Sequence, residues 1–169
     1  MITVLRLGHR RVRDARISTH CGLVARAFGA EKIIYTGEKD EKLIQSIEKV
    51  NENWGSCFKV EYEKSWRKAV NNFKGTKVHL TIYGLPFEKN LEKLDNAKDL
   101  LIIVGGEKVP GGVYKSVDFN LSVTAQPHSE IAALAVFLDN YLQGKELEKD
   151  FKGRLKVKPM KEGKFVTTK

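Results

Sequence analysis

Two short segments in the C-terminal half of the chain combine residue types that could hold a small molecule. In Leu100–Pro110, LLIIVGGEKVP, a buried-strand run breaks at Gly105-Gly106 and then presents Glu107, Lys108 and a proline. In Asn120–Asp139, NLSVTAQPHSEIAALAVFLD, a short strand ends in Gln126-Pro127-His128-Ser129-Glu130, and an Ala-rich apolar helix begins at once. Paired glycines let a backbone approach a ligand closely, and Pro127 suits a first helical turn. Loops at the C-terminal ends of neighbouring strands are where an open α/β sheet puts its ligand. The chemistry expected is small-molecule binding, mainly by main-chain groups.

A second signal is charge. The formal net charge is +9, and six of the eight arginines fall in the first 26 residues: Arg6, Arg10, Arg11, Arg13, Arg16 and Arg26. Only Asp14 opposes them there, while the stretch from Gly144 holds nine basic and four acidic residues. Basic charge concentrated at both ends reads as a polyanion footprint. Arginine in place of lysine favours bidentate phosphate contacts. For the tail the competing interpretation is a solvated, Lys-rich end.

The elements that must position these residues alternate regularly. Strands are expected at Ile2–Leu7, Lys32–Tyr35, Cys57–Tyr62, Lys77–Tyr83, Leu100–Val104 and Val117–Val123. Between them, helices are expected at Thr19–Phe28 with Ser18 or Thr19 as cap, about Glu38 to Asn53, Trp66–Phe73 and Phe87–Ala97. A helical turn near Val113–Ser116 and a final helix over Pro127–Leu142 complete the series, with Gly8–Ser18 left as a basic loop. Strands separated by helical patterns of this size predict an α/β fold with a mostly parallel sheet flanked by helices. Leu155 and Val157, alternating with lysines, suggest an added edge strand in the tail.

At 169 residues, 41% hydrophobic and 30% charged, the chain is expected to be one globular domain, with or without a tail. It has no run of the roughly 20 apolar residues that a membrane span needs, and its start lacks a signal-peptide pattern. Cys21 and Cys57 make no disulfide framework, so a soluble cytoplasmic protein is expected. Neither G-x-G-x-x-G after the first strand nor G-x-x-x-x-G-K-[ST] occurs, which excludes a dinucleotide fingerprint and a P-loop. The histidines and cysteines show no metal-ligand spacing, and no G-x-S-x-G elbow is present. Trp54, Trp66 and His79 read as packing residues.

The segments LRLGHRRVRDARISTH, ARAFGA, KVHLTIYGLP, IIVGGEKVP and QPHSEIAALAVFLD, with FKG at Phe151–Gly153, resemble the SPOUT superfamily of RNA methyltransferases. More narrowly, they resemble the archaeal family that methylates the ribose of tRNA cytidine 56. That resemblance implies a deep trefoil knot over about residues 77–143, within a methyltransferase domain at 1–144 that is followed by a basic tail at 145–169. It implies S-adenosylmethionine held by three loops. These would be Tyr83, Gly84 and Leu85; then Gly105, Gly106, Glu107, Lys108, Val109 and Pro110; then Val123, Thr124, Ala125, Gln126, Pro127, His128, Ser129 and Glu130. It also implies a homodimer, with Ile131, Leu134, Phe137 and Leu138 available for core and dimer packing.

The same resemblance assigns Arg26, in ARAFGA, to the reacting hydroxyl, as a cation that positions phosphate and stabilises a developing alkoxide. His20, where many relatives carry Asn, would orient that hydroxyl or accept its proton. Arg10, Arg11, Arg13 and Arg16 would bind tRNA. Two alternatives stay open at this point. One is a SPOUT enzyme acting on another tRNA or rRNA nucleotide, and the other is a knotted RNA binder without catalysis.

Overall fold

The computed structural model describes residues 1–94, 97–106 and 108–168. Its first strand, β1 (Ile2–His9), leads to α1 (Ala15–Ala27), β2 (Lys32–Gly37), α2 (Glu41–Trp54), β3 (Lys59–Tyr62) and α3 (Trp66–Asn72). There follow β4 (Thr76–Pro86), a 3-10 turn at Glu88–Leu94, β5 (Leu100–Val104), α4 (Gly111–Lys115), β6 (Phe119–Ser122) and α5 (Glu130–Leu142). The six strands form one sheet in the order β3-β2-β1-β5-β4-β6, and every pairing is parallel. All five residues of β5 are buried, as expected of a parallel strand covered on both faces.

Alternation within the strands divides the core in two. Val4, Val78, Ile102 and Leu121 meet Leu134, Phe137 and Leu138 of α5 on one face. Leu5, Leu7, Leu101 and Ile103 meet Val70 and Val113 on the other, with Trp66 packed against them. The packing role expected of Trp66 is therefore observed. Burial pushes the Cys21 thiol up to about 12, so it is inert near neutral pH.

Helix α1 begins a turn earlier than its sequence pattern indicates. Asp14 accepts from the Arg10 backbone N–H at 3.1 Å and from the guanidinium at 2.7 and 3.0 Å. That closure starts the helix behind Asp14 and holds the Asp14 carboxyl below its usual pKa, chiefly through the Arg10 hydrogen bond. Ser18 and Thr19 are not caps: Ser18 Oγ lies 2.9 Å from His9 Nδ1, and Thr19 donates to the Ala15 carbonyl. Conversely α5 starts later than expected. Ser129 accepts from the Ile131 N–H at 3.2 Å as N-cap, leaving Pro127 in the preceding loop. The helix expected at Phe87–Ala97 is a 3-10 turn among its described residues.

The tail does not extend the main sheet. Leu155–Lys158 (β7) and Phe165–Thr168 (β8) pair with each other as a separate antiparallel hairpin. A β-bridge between Gly55 and Lys152 and a 2.6 Å bond from Arg154 to Asn53 fasten its stem to the end of α2.

Just before the tail, the Glu146 carboxyl is buried, and neither oxygen makes a well-formed hydrogen bond among the described residues. Burial first, and then the neighbouring Asp139 carboxyl, push its pKa above the ordinary value. Such a group favours the fold below its unfolded pKa and loses that contribution as pH rises through the folded value. Glu146→Gln is therefore expected to raise the melting temperature at about pH 8, by roughly 1 kcal/mol of stability, and to gain little near pH 4. Equal melting curves at both pH values would contradict this.

Candidate active site

Strand β4 builds the first wall of a cleft by leaving the sheet. Leu121 of β6 pairs with both Leu80 and Leu85, so Thr81–Gly84 loop out at the C-terminal end of the sheet. Gly84 is required there, because a Cβ would collide with the backbone of Leu121 and Asn120. The second wall follows β5, where a Cβ on Gly105 would collide with Val109. The third is the approach to α5. These walls enclose a cavity of about 370 Å³, within the range of about 300–1,000 Å³ usual for small-molecule sites.

The sequence-derived loops converge here. Tyr83, Gly105, Gly106, Val109, His128 and Glu130 line the cavity. Gly84 and Leu85 complete the β4 bulge, and Pro110 precedes α4 as its N-cap. Lys108 lines an adjoining cavity instead. Val123, Thr124, Ala125, Gln126, Pro127 and Ser129 form the connection from β6 to α5 and support this wall without lining the cavity. Glu107 lies outside the described residues.

Three contributors escaped the sequence analysis. Tyr114 and His79 belong to the floor. Asn120 donates to the Tyr114 carbonyl at 2.9 Å, so its oxygen accepts from His79 Nδ1, also at 2.9 Å. That bond makes Nε2 the unprotonated nitrogen. Burial lowers the His79 pKa, keeping the ring neutral, and Nε2 has no partner among the described residues. His79 is thus buried as expected but only half satisfied. The third is Arg6 on β1, 2% exposed, which donates to Glu130 Oε1 at 3.0 Å and to the Leu7 carbonyl.

The arginine cluster divides between two surfaces. Arg10 and Arg13 join Leu7, Gly8 and Lys108 around a cavity of about 420 Å³, and Gly106 belongs to this cavity and to the first. Arg11 and Arg16 line a larger groove between α1 and the start of α2, together with His20, Lys39 and Lys42. A small-molecule cavity and a basic cleft therefore meet at one glycine. That arrangement suits a reaction between a bound small molecule and a polyanion.

Arg26 and His20 do not meet at this junction. Six positions apart on α1, they are separated by about 120° around the helix. His20 faces the groove. The Arg26 side chain, 7% exposed, donates to Asn51 Oδ1 at 2.9 Å and to the Gly55 carbonyl, and lies 4.7 Å over the Phe151 ring. In this protomer the guanidinium joins the tail to α2, on a different surface from the cofactor cavity. Neither residue lines the cavity.

The sheet order and bulged strand define a fold class shared with solved structures. The chain superposes on the A. aeolicus TrmH/SpoU tRNA modifying enzyme with a TM-score of 0.61, at 14% identity, covering 90% of this chain and 79% of that one. It superposes equally well, at TM-score 0.61 and 13% identity, on the SpoU methyltransferase AviRb from Streptomyces viridochromogenes in complex with AdoMet, covering 91% and 59%. At such identities the likeness is one of fold.

Sequence narrows the class. The family model for tRNA ribose 2'-O-methyltransferase, aTrm56, matches residues 54–167. The tRNA (cytidine(56)-2'-O)-methyltransferases of Pyrococcus horikoshii and Methanocaldococcus jannaschii are 52% and 51% identical to this chain over 98% of its length, covering 84% and 96% of theirs. That of Picrophilus torridus is 52% identical, but the chain spans only 48% of its length. The chain belongs to the aTrm56 family of tRNA ribose 2'-O-methyltransferases.

Proposed function

We propose that the chain transfers a methyl group from S-adenosylmethionine to the ribose 2'-hydroxyl of cytidine 56 in the T-loop of tRNA. The observation carrying the reading is the meeting of the 370 Å³ cavity with the basic cleft at Gly106. Three backbone loops, two glycines that tolerate no Cβ, and a carboxylate fit an adenosyl sulfonium ligand. Bound there, S-adenosylmethionine supplies an electrophilic methyl group. The Tyr83–Leu85, Gly105–Pro110 and Val123–Glu130 loops hold it, and a trefoil knot over residues 77–143 accounts for their convergence. The crossover from β5 to β6 on the far side of β4 supports that threading.

A ribose hydroxyl is a poor nucleophile, and its developing negative charge needs fixed cations nearby. Arg10, Arg13 and Lys108 supply them, as permanently charged or ammonium groups that also seat the flanking phosphates. Arg11, Arg16, Lys39 and Lys42 continue the phosphate track along the outer groove, where His20 belongs to RNA contact. The His128 imidazole is the proton acceptor this reading places in the cavity. A homodimer belongs to the same reading, with exposed Ile17 of α1 and Val136 of α5 as apolar contacts.

Incubation with tritiated S-adenosylmethionine and a tRNA transcript should label the RNA, whereas a transcript carrying 2'-deoxycytidine at position 56 should stay unlabelled. Equal labelling of both would move the target elsewhere. Gly105→Val, which drives a side chain into Val109, is expected to weaken cofactor binding at least about tenfold with helix content unchanged. Wild-type affinity by calorimetry would remove Gly105 from the site.

A further inference from the structure

We propose that the Arg6–Glu130 ion pair makes the cofactor cavity select a cationic sulfonium over the neutral thioether left after methyl transfer. Glu130 is the group that faces the sulfonium, and Arg6 is the positioning residue behind it. This rests on the reading of the cavity as an S-adenosylmethionine site.

The pair is asymmetric. Arg6 is 2% exposed on β1, one of the two central strands of the sheet, beneath Gly106, whose Cβ position lies 3.4 Å from Arg6 Nη2. Glu130 is 21% exposed and belongs to the cavity wall. One of its oxygens accepts from Arg6 at 3.0 Å, and the other has no hydrogen bond among the described residues. The positive end is therefore sealed under the cofactor loop, and the negative end opens into the cavity.

Stability alone does not account for such a pair. Removing two charges from water is costly, and a well-packed apolar pair of the same volume is often as stable. Here the cost is raised further, because Arg6 Nε is buried without an acceptor among the described residues. An anion fixed on one wall does have a chemical use. Substrate and product of methyl transfer share their adenosyl, amino and carboxyl groups and differ by the methyl and one positive charge on sulfur. A fixed carboxylate attracts the first and is indifferent to the second, so charge favours loading before transfer and release after it. Because Arg6 holds the carboxylate in place, little reorganisation is needed when the charge disappears.

Calorimetric titration with S-adenosylmethionine, S-adenosylhomocysteine and sinefungin, which carries an amine at the sulfonium position, tests this without any turnover. Wild-type protein should bind both cations more tightly than the thioether, by on the order of tenfold. Glu130→Gln should abolish that ratio by weakening the two cations while leaving thioether affinity within about twofold, and Glu130→Asp should restore part of it. Equal wild-type affinities for all three ligands would overturn the proposal, even if the glutamine variant fails to fold. Uniform weakening by Glu130→Gln would overturn it too, by assigning the carboxylate to the shared amino group. Failure of wild-type protein to bind any of the three would instead bring down the reading of the cavity itself.

Discussion

Replacing Arg13 and Lys108 together by alanine is expected to cut tRNA affinity by about 10- to 100-fold near 0.1 M salt, with cofactor affinity unchanged. Both side chains line the cleft that meets the cofactor cavity at Gly106. Each phosphate contact removed should lower the slope of log affinity against log salt by about 0.7 to 0.9. The double variant should therefore flatten it by between one and two units, as read by fluorescence anisotropy over a salt series. Arg10 is left alone in this test because it closes the turn on Asp14 that starts α1. An unchanged slope would return Arg13 and Lys108 to a structural role and separate the basic cleft from RNA.

Arg26→Ala should destabilise the fold by about 2–4 kcal/mol. It removes a charged hydrogen bond to Asn51, another to the Gly55 carbonyl and a cation–π contact with Phe151. Asn51 itself donates to the Phe58 carbonyl at 2.8 Å, so the loss spreads into the connection between α2 and β3. The expected signature is a fall in melting temperature with earlier proteolysis of the tail, while methyl transfer persists at temperatures where the variant stays folded. A collapse of turnover with an unchanged melting curve would put Arg26 back at the reacting centre.

These two cases show what local sequence carries and where it stops. The run of five apolar residues at Leu100–Val104 sets β5 to the residue, because a strand buried on both faces has nothing polar to blur its ends. Gly105-Gly106 and the Gln126–Glu130 turn were legible as loops at the C-terminal ends of strands, and residues of both reach the cavity. The β4 bulge was not: it arises because Leu121 pairs with two residues of β4, a register that nothing within KVHLTIYGLP encodes. Arg6 sits in an alternating strand, where a lone arginine reads as solvent-facing. Its burial depends on Glu130, 124 positions away.

Arg26 and His20 are joined to one centre by resemblance alone, whereas α1 places them about 120° apart, with His20 facing the groove and Arg26 facing the tail. Within one protomer that spacing sends the two side chains to different surfaces. The start of α1 was misread for a related reason. Asp14 acts through Arg10, four residues upstream, whereas the Ser18-Thr19 pair has the look of a cap but is engaged with His9 and the Ala15 carbonyl.

Methyl transfer to one tRNA ribose is most directly tested by mass spectrometry of nuclease fragments. The sample is an unmodified transcript treated with the protein and S-adenosylmethionine. A single added methyl on the sugar of cytidine 56, absent when the cofactor is omitted, is the predicted result. A methyl on a base, or on a ribose elsewhere in the transcript, would contradict it.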